Sequence, residues 1–281
     1  MADTSSLQRT YRYLRMSIAG AVVVIFTGVV IAAFRIGWLP SISAYYYTPA
    51  RNVLVGALVA ASLALLALSG RGVPRALLDA AALLAPLVAF VPTPLLPGDV
   101  PGLPGCPAPG CVPAQVQPDI EAAVLTYLVV VLGVLAVGVV LAIRRQVDPR
   151  AVAVSVAIGV VVAVTVLCGW LFARDAFLTT AHFAAASLFF LLIGSVAVAN
   201  AFPGRAGLRP SPMFRRLYLL VAVGMVVDVA AAILVLVVNP PAAPIPWVLV
   251  LEALALALFL LFWVLQTVEK WNDPDPALAI G

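Results

Sequence analysis

Charged side chains are scarce in this sequence of 281 residues. Asp, Glu, Lys and Arg together make up 10% of it, while 64% of the residues are hydrophobic. A soluble globular domain has about 25% charged and roughly 45–50% apolar residues. The shortage of charge excludes a soluble enzyme, a nucleic-acid-binding protein and a disordered chain. It predicts an all-α polytopic bundle of transmembrane helices, with residues 1–281 forming a single domain in contact with the lipid bilayer.

The residue types that usually hold metals and cofactors are also few. The chain has one histidine, one lysine and three cysteines, and it lacks both a Walker loop and a GxGxxG segment after a strand. A catalytic zinc normally takes three protein ligands. A retinal-type lysine would have to lie inside a span, whereas Lys270 follows the last apolar run. The sequence therefore predicts neither a metal nor a cofactor.

Apolar runs long enough to cross a membrane are abundant. A spanning helix needs about 20 predominantly apolar residues. Eight such runs predict eight spans, near 15–36, 52–69, 75–92, 120–143, 151–172, 180–201, 217–238 and 247–268.

Basic residues predict how these spans are oriented. With the N-terminus in the cytoplasm, thirteen of the sixteen Lys and Arg residues lie in cytoplasmic segments, and only Arg35, Arg51 and Arg174 lie outside. Positive residues accumulate on the cytoplasmic side of multi-pass proteins. We therefore expect an even number of spans, both termini in the cytoplasm, and insertion into the cell membrane.

A loop rich in proline and glycine separates the third and fourth spans. Residues 92–119 contain nine prolines and four glycines, a density that rules out regular structure. The orientation places this loop outside the cell, where disulfides persist. Cys106 and Cys111, with a turn-forming tetrapeptide between them, are expected to form a disulfide. Metal binding is the alternative, but the spacing is not CxxC and no His lies nearby. The third cysteine, Cys168, is expected to be buried as a small apolar residue.

Polar side chains gather at the outer ends of four different spans. Because a helix rises 1.5 Å per residue, their distance from the span ends gives their depth. Eight of them are expected at similar depth: Ser43, Tyr45, Tyr46, Tyr47, Arg51, Asn52, His182 and Glu252. Convergent polar groups in a cavity are the usual binding sites. They predict a polar cavity open to the outer leaflet.

One acid lies much deeper than the others. Asp228 follows Leu217 by eleven residues, which is roughly 16 Å of helix and close to the bilayer midplane. An ionisable residue at this depth is costly and is a functional candidate. Asp228 is interpreted either as a proton or cation site within a pathway, or as a neutral side chain hydrogen-bonded to a neighbour.

The segment after the first span carries a resemblance. Residues 41–51 follow the pattern Ser-x-Ser-Ala-Tyr-Tyr-x-Thr-x-x-Arg, and Val55-Gly56 continues it. This resembles bacterial multi-pass membrane proteins of unassigned function, and His182 with Phe189 and Phe190 is similar to a second shared segment. The resemblance implies a fold but no reaction. A looser similarity to the alkaline ceramidase and progestin receptor superfamily lacks that superfamily's three zinc-binding histidines.

Three classes of function remain open. The first is a bundle that transports or binds a small molecule, ion or lipid in the outer cavity. The second is a hydrolase acting on a lipid or amide at the outer leaflet, with His182, Asp175, Glu252 and Ser43 as catalytic candidates. The third is a structural or assembly protein without a small-molecule site. We favour the first over an enzyme, because the enzyme interpretation lacks a second catalytic motif.

Overall fold

The computed structural model describes residues 6–68, 72–107, 110–145, 149–203, 209–238 and 245–271. These residues form long helices joined by short connections, and they contain no β-strand, which confirms the all-α prediction. The helices are α1 (Ser6–Ile36), α2 (Arg51–Leu68), α3 (Gly72–Phe90), α4 (Gln117–Ile143), α5 (Pro149–Phe172), α6 (Arg174–Ala201), α7 (Pro212–Val238) and α8 (Trp247–Glu269). Two 3₁₀ helices cover Ser43–Tyr47 and Ala114–Val116.

Most of these helices can cross a bilayer. Within the described part of the chain, seven helices are long and apolar enough to do so: α1, α2 and α4 to α8. This identifies the chain as an integral membrane protein. The helix α3 has 19 residues, carries Arg75, Asp79 and Pro86, and packs between α2 and α6.

Several helices extend past the predicted spans. The first was predicted to begin at residue 15 but begins at Ser6, and the seventh begins at Pro212 instead of residue 217. The added turns contain Arg9 and Arg12 in α1, and Arg215 and Arg216 in α7. Hydropathy marks only the apolar part of a helix, whereas backbone hydrogen bonding continues into the polar residues that flank it.

Six of the helices close a ring. Going around it, α1 packs on α2, α2 on α3, α3 on α6, α6 on α7, α7 on α8, and α8 on α1. The crossing of α1 and α2 depends on a glycine, because a Cβ atom at Gly28 would lie 2.8 Å from Val53 Cγ1. Neighbours in space are thus not always neighbours in sequence, since α3 pairs with α6.

The two remaining helices form a hairpin outside the ring. Helices α4 and α5 pack on each other and mainly on α3. The Tyr127 hydroxyl donates to the Leu83 carbonyl over 3.0 Å, and Ser155 Oγ donates to Asp79 Oδ2 over 2.5 Å. These bonds attach each hairpin helix to α3 while satisfying polar groups that face an apolar interior.

The first and last helices meet at both ends of the ring. At one end, which we call the Glu252 end, the Leu249 N–H donates to the Pro40 carbonyl over 2.9 Å. This satisfies a donor in the first turn of α8 that has no partner within the helix. At the opposite end, the Glu269 end, Arg12 Nε donates to the Trp271 carbonyl over 2.7 Å.

Candidate functional site: a cavity at the Glu252 end

Glu252 organises the connection between α1 and α2. Its Oε2 accepts hydrogen bonds from the backbone N–H groups of Ile42 (2.5 Å) and Ser43 (3.2 Å), and its Oε1 accepts one from Ser43 Oγ (2.6 Å). The carboxylate of α8 therefore caps the start of the Ser43–Tyr47 helix, whose first N–H groups have no partner in that helix. A charged acceptor makes stronger bonds than a neutral one, so this contact fixes α8 against the connection.

The tyrosines of that helix are held by backbone groups. The buried Tyr45 hydroxyl donates to the Gly37 carbonyl and accepts from the Leu39 N–H, each over 3.2 Å. The Tyr47 hydroxyl donates to the Thr93 carbonyl over 2.7 Å. Both side chains therefore brace the connections at this end of the bundle.

Arg51 and Asn52 diverge although they are consecutive. Arg51 Nη1 lies 2.8 Å from Asp119 Oδ2, and its guanidinium stacks 4.4 Å from the centre of the Tyr46 ring. Burial raises the pKa of the Tyr46 hydroxyl, and the neighbouring Arg51 charge opposes that shift. The Asn52 side chain is exposed. Neither Arg51 nor Asn52 lines the cavity described next.

A central cavity lies inside the ring, between α1, α2, α3, α6, α8 and the Ser43–Tyr47 helix. The centres of water-sized molecules can occupy about 100 Å³ of it. Its wall is mostly apolar, and its polar members are Ser43, Tyr46, His182 and Glu252. Four of the eight predicted outer residues thus line one space. That space is more apolar than the predicted polar cavity.

His182 is the buried polar side chain that α6 contributes to this wall, with 4% of its surface exposed. Its Nδ1 lies 2.7 Å from the Val91 carbonyl oxygen. A carbonyl only accepts, so Nδ1 carries a proton, and in a neutral ring the lone pair then lies on Nε2. The connection after α3 therefore fixes the tautomer and the orientation of the imidazole.

Two of the four predicted catalytic candidates, Ser43 and Glu252, are in direct contact. The Ser43 hydroxyl donates to Glu252, whereas the protonated nitrogen of His182 is bonded to Val91. Asp175 lies in the first turn of α6 with its side chain exposed. An activated serine requires a base within hydrogen-bond reach of its hydroxyl. Among the described contacts the Glu252 carboxylate is in that position, and no hydrogen bond joins Ser43 to His182 or Asp175.

A second, smaller space, the α6–α8 cavity, lies between α6, α7 and α8. The centres of water-sized molecules can occupy about 60 Å³ of it. Asp228 lines it from α7, and His182 and Glu252 border it as well as the central cavity. Asp228 is buried, as its predicted depth implied, and it lies beside the outer group of residues.

The loop that follows α3 covers part of the Glu252 end. Cys106 and Cys111 form the predicted disulfide, and the N–H groups of both cysteines donate to the buried Leu95 carbonyl over 3.2 Å. The Asp99 carboxylate accepts from the Leu96 N–H over 2.7 Å, and burial raises the pKa of that carboxyl group. The prediction for Cys168 is wrong: its side chain is exposed, because the face of α5 that carries it is turned away from the bundle.

Sequence reasoning missed a polar cluster at the Glu269 end. Asn200 Oδ1 accepts from Gln266 Nε2 (3.0 Å) and from Lys270 Nζ (2.9 Å), and the Tyr218 hydroxyl donates to Glu269 Oε2 (2.5 Å). These contacts join the ends of α6, α7 and α8. The depth argument used for the outer residues could have found them, since they come from three spans and lie at one inner level.

Within the described ranges, no group of three His, Cys, Asp or Glu side chains is placed to hold a metal ion. No family model, curated protein or solved structure matches the chain.

Proposed function

We propose that this is a cell-membrane protein of eight spans, with both termini in the cytoplasm, whose central cavity binds an apolar or amphiphilic small molecule or lipid from the outer leaflet. The observation that carries the proposal is the cavity itself, bordered by five helices and lined by Ser43, Tyr46, His182 and Glu252 on an otherwise apolar wall. Cavities of this kind, apolar with a few convergent polar groups, are the usual small-molecule sites.

The polar groups restrict which ligands fit. Glu252 already accepts three hydrogen bonds from Ile42 and Ser43. Its carboxylate oxygens repel an anion placed beside them, so a neutral ligand is favoured over an anion. The lone pair on His182 Nε2 remains available to a hydroxyl or amide donor. We therefore expect a ligand with an apolar body and one neutral hydrogen-bonding group.

The cavity volume sets the scale of the ligand. A water needs about 10–15 Å³ of space for its centre and takes roughly 30 Å³ of liquid volume. The 100 Å³ of the central cavity then corresponds to about seven to ten waters, or roughly 200–300 Å³ of ligand. This suits a medium-chain alcohol, a small isoprenoid or one end of a lipid chain.

The distribution of charged residues between the two ends of the bundle supports the proposed orientation in the membrane. At the Glu252 end, Arg51 and Arg174 are paired with the carboxylates of Asp119 and Glu121, so that end has little net positive charge. The Glu269 end carries Arg12, Arg15, Arg215 and Lys270 on its helices. An excess of positive charge is characteristic of the cytoplasmic side.

Reporter fusions test the orientation. We expect green fluorescent protein fused after Gly281 to fluoresce, and alkaline phosphatase fused there to be inactive, because the C-terminus is cytoplasmic. Phosphatase inserted after Gly102, in the loop between α3 and α4, should be active. An active phosphatase at the C-terminus would contradict both the even number of spans and the assignment of the Glu252 end as the outer one.

A cavity-filling substitution tests the binding function. Ala61 lines the central cavity, so Ala61→Phe is expected to reduce labelling by a photoactivatable diazirine-octanol at least tenfold, because the ring occupies the ligand's space. Ala60→Phe is the matched control, since Ala60 is its exposed neighbour on α2. Labelling is measured on protein in nanodiscs, with unlabelled octanol as competitor. Equal, saturable labelling of both variants and the wild type would refute a ligand in this cavity.

A further inference from the structure

A carboxyl group with one oxygen that lacks a hydrogen-bond partner is buried on α7. Asp228 is 4% exposed, and its Oδ1 atom has no hydrogen-bond partner among the described residues. None of the ion pairs within the described ranges includes it. An ionised carboxylate in an apolar interior is costly unless a positive charge compensates it. Asp228 therefore has to hold either a proton or a cation.

The surroundings of Asp228 supply no cation of their own. Helices α6 and α8 pack against α7, and the titratable side chains that they turn toward the α6–α8 cavity are His182 and Glu252. The His182 ring is bonded to the Val91 carbonyl, and Glu252 is bonded to Ile42 and Ser43. Among the described residues no Lys or Arg lines this cavity, so a permanently charged partner for Asp228 has to come from solution.

The cavity wall favours an organic cation over an inorganic one. Phe183 and Phe190 line it, and aromatic faces attract ammonium groups. Calcium and magnesium ions take six or more oxygen ligands, and the described residues offer no cluster of three metal-binding side chains. The 60 Å³ open to the centres of water-sized molecules corresponds to roughly 120–180 Å³ of ligand, the size of a small arylamine.

We propose that the α6–α8 cavity binds a small organic ammonium ion, an alkyl- or arylamine, in exchange for the proton of Asp228. When the ammonium ion enters, the O–H bond of the Asp228 carboxyl breaks, the proton leaves to water, and the carboxylate pairs with the ammonium nitrogen. When it leaves, a proton returns. This site is separate from the neutral ligand of the central cavity and does not rest on that assignment.

Binding and proton release by the full chain in nanodiscs test this exchange. Benzylammonium is the probe, and benzyl alcohol is its uncharged counterpart of similar shape. For the wild type we expect one proton released into weakly buffered solution per benzylammonium bound. Because protons compete for the carboxylate, the affinity should weaken as the pH falls, by up to about tenfold per pH unit. Asp228→Asn should weaken benzylammonium binding at least tenfold, abolish proton release, and leave benzyl alcohol binding unchanged.

Matched variants keep the test decisive if Asp228→Asn fails to fold. Ala232 lines the α6–α8 cavity and Ala230 is exposed on the same helix. Ala232→Phe should block benzylammonium binding and Ala230→Phe should not.

Several results would overturn the proposal. The first two are no binding of benzylammonium by the wild type, and equal affinity of Asp228→Asn and the wild type for benzylammonium. The third is proton release that persists in Asp228→Asn, because those protons would come from His182 or Glu252. The fourth is a loss of benzyl alcohol binding in Asp228→Asn as large as the loss of benzylammonium binding. Displacement by sodium chloride at the same concentration would also overturn the organic assignment. Ala61→Phe fills the central cavity and leaves the α6–α8 cavity intact. Proton release by that variant therefore tests the exchange at Asp228 independently of the ligand proposed for the central cavity.

Discussion

Glu252→Ala is expected to lower the free energy of unfolding by about 3–5 kcal/mol. The substitution removes the acceptor for two backbone N–H groups and one hydroxyl, those of Ile42 and Ser43. Hydrogen bonds to a charged group contribute about 1.5–3 kcal/mol each, and a buried donor left without a partner costs about 1–3 kcal/mol. The three bonds share one carboxylate, so their contributions do not add fully. The measurement is thermal or denaturant unfolding of the purified protein in detergent.

Two further variants serve as comparisons for Glu252→Ala. Glu252→Gln keeps a neutral acceptor oxygen and should lose less stability than Glu252→Ala. Glu121→Gln removes a carboxylate whose partner Arg174 is 41% exposed at the side chain, and an exposed ion pair of this kind contributes at most about 1 kcal/mol. If Glu252→Ala melted at the same temperature as Glu121→Gln, the capping role of Glu252 would be wrong.

The double substitution Cys106→Ser/Cys111→Ser is expected to destabilise the loop between α3 and α4 by about 2 kcal/mol. The disulfide closes a ring of six residues, and the loss of closure entropy in the unfolded chain for a ring of that size is of this order. The same loop gives Leu95 three backbone hydrogen bonds, with Cys106 and Cys111 as partners. Reductant added to the wild type should reproduce the effect, seen as faster proteolysis within residues 92–119 and a lower melting temperature.

Cys168→Ser is the control for the disulfide prediction. Cys168 is a free, exposed cysteine on α5, so its loss should change neither proteolysis nor melting. Wild-type protein that is unaffected by reductant would show that the loop is held by its backbone hydrogen bonds alone.

The helices could be predicted from the sequence because backbone polar groups in hydrocarbon have to be hydrogen-bonded within the protein, which favours helices. Long apolar runs fix where helices occur, and the structure differs mainly at their ends, where α1 begins at Ser6 and α7 at Pro212. The order of helices around the ring could not be predicted. Helices α4 to α7 are apolar on nearly all sides, so the sequence does not indicate which face meets which neighbour.

The depth of the candidate site residues could be predicted from the sequence, but the direction in which each side chain points could not. A fixed rise per residue placed Ser43, His182 and Glu252 at one level, and the structure brings these three to one cavity. Depth says nothing about rotation around the helix axis. Arg51 and Asn52 share a level yet point to Asp119 and to the exterior. The pairing of Glu252 with backbone N–H groups could not be predicted either, because those N–H groups face Glu252 only after the connection has formed its 3₁₀ helix.

The closure of the ring by α1 and α8 has a consequence for how the protein is made. The donors at Ile42 and Ser43 are synthesised about 210 residues before the carboxylate that caps them, since Glu252 is separated from Ile42 by 210 positions. During translation, seven helices must leave the ribosome before α8 can join them. Until then the ring lacks the helix that joins α7 to α1, so truncation before α8 removes one wall of the central cavity together with the carboxylate that caps the Ser43–Tyr47 helix.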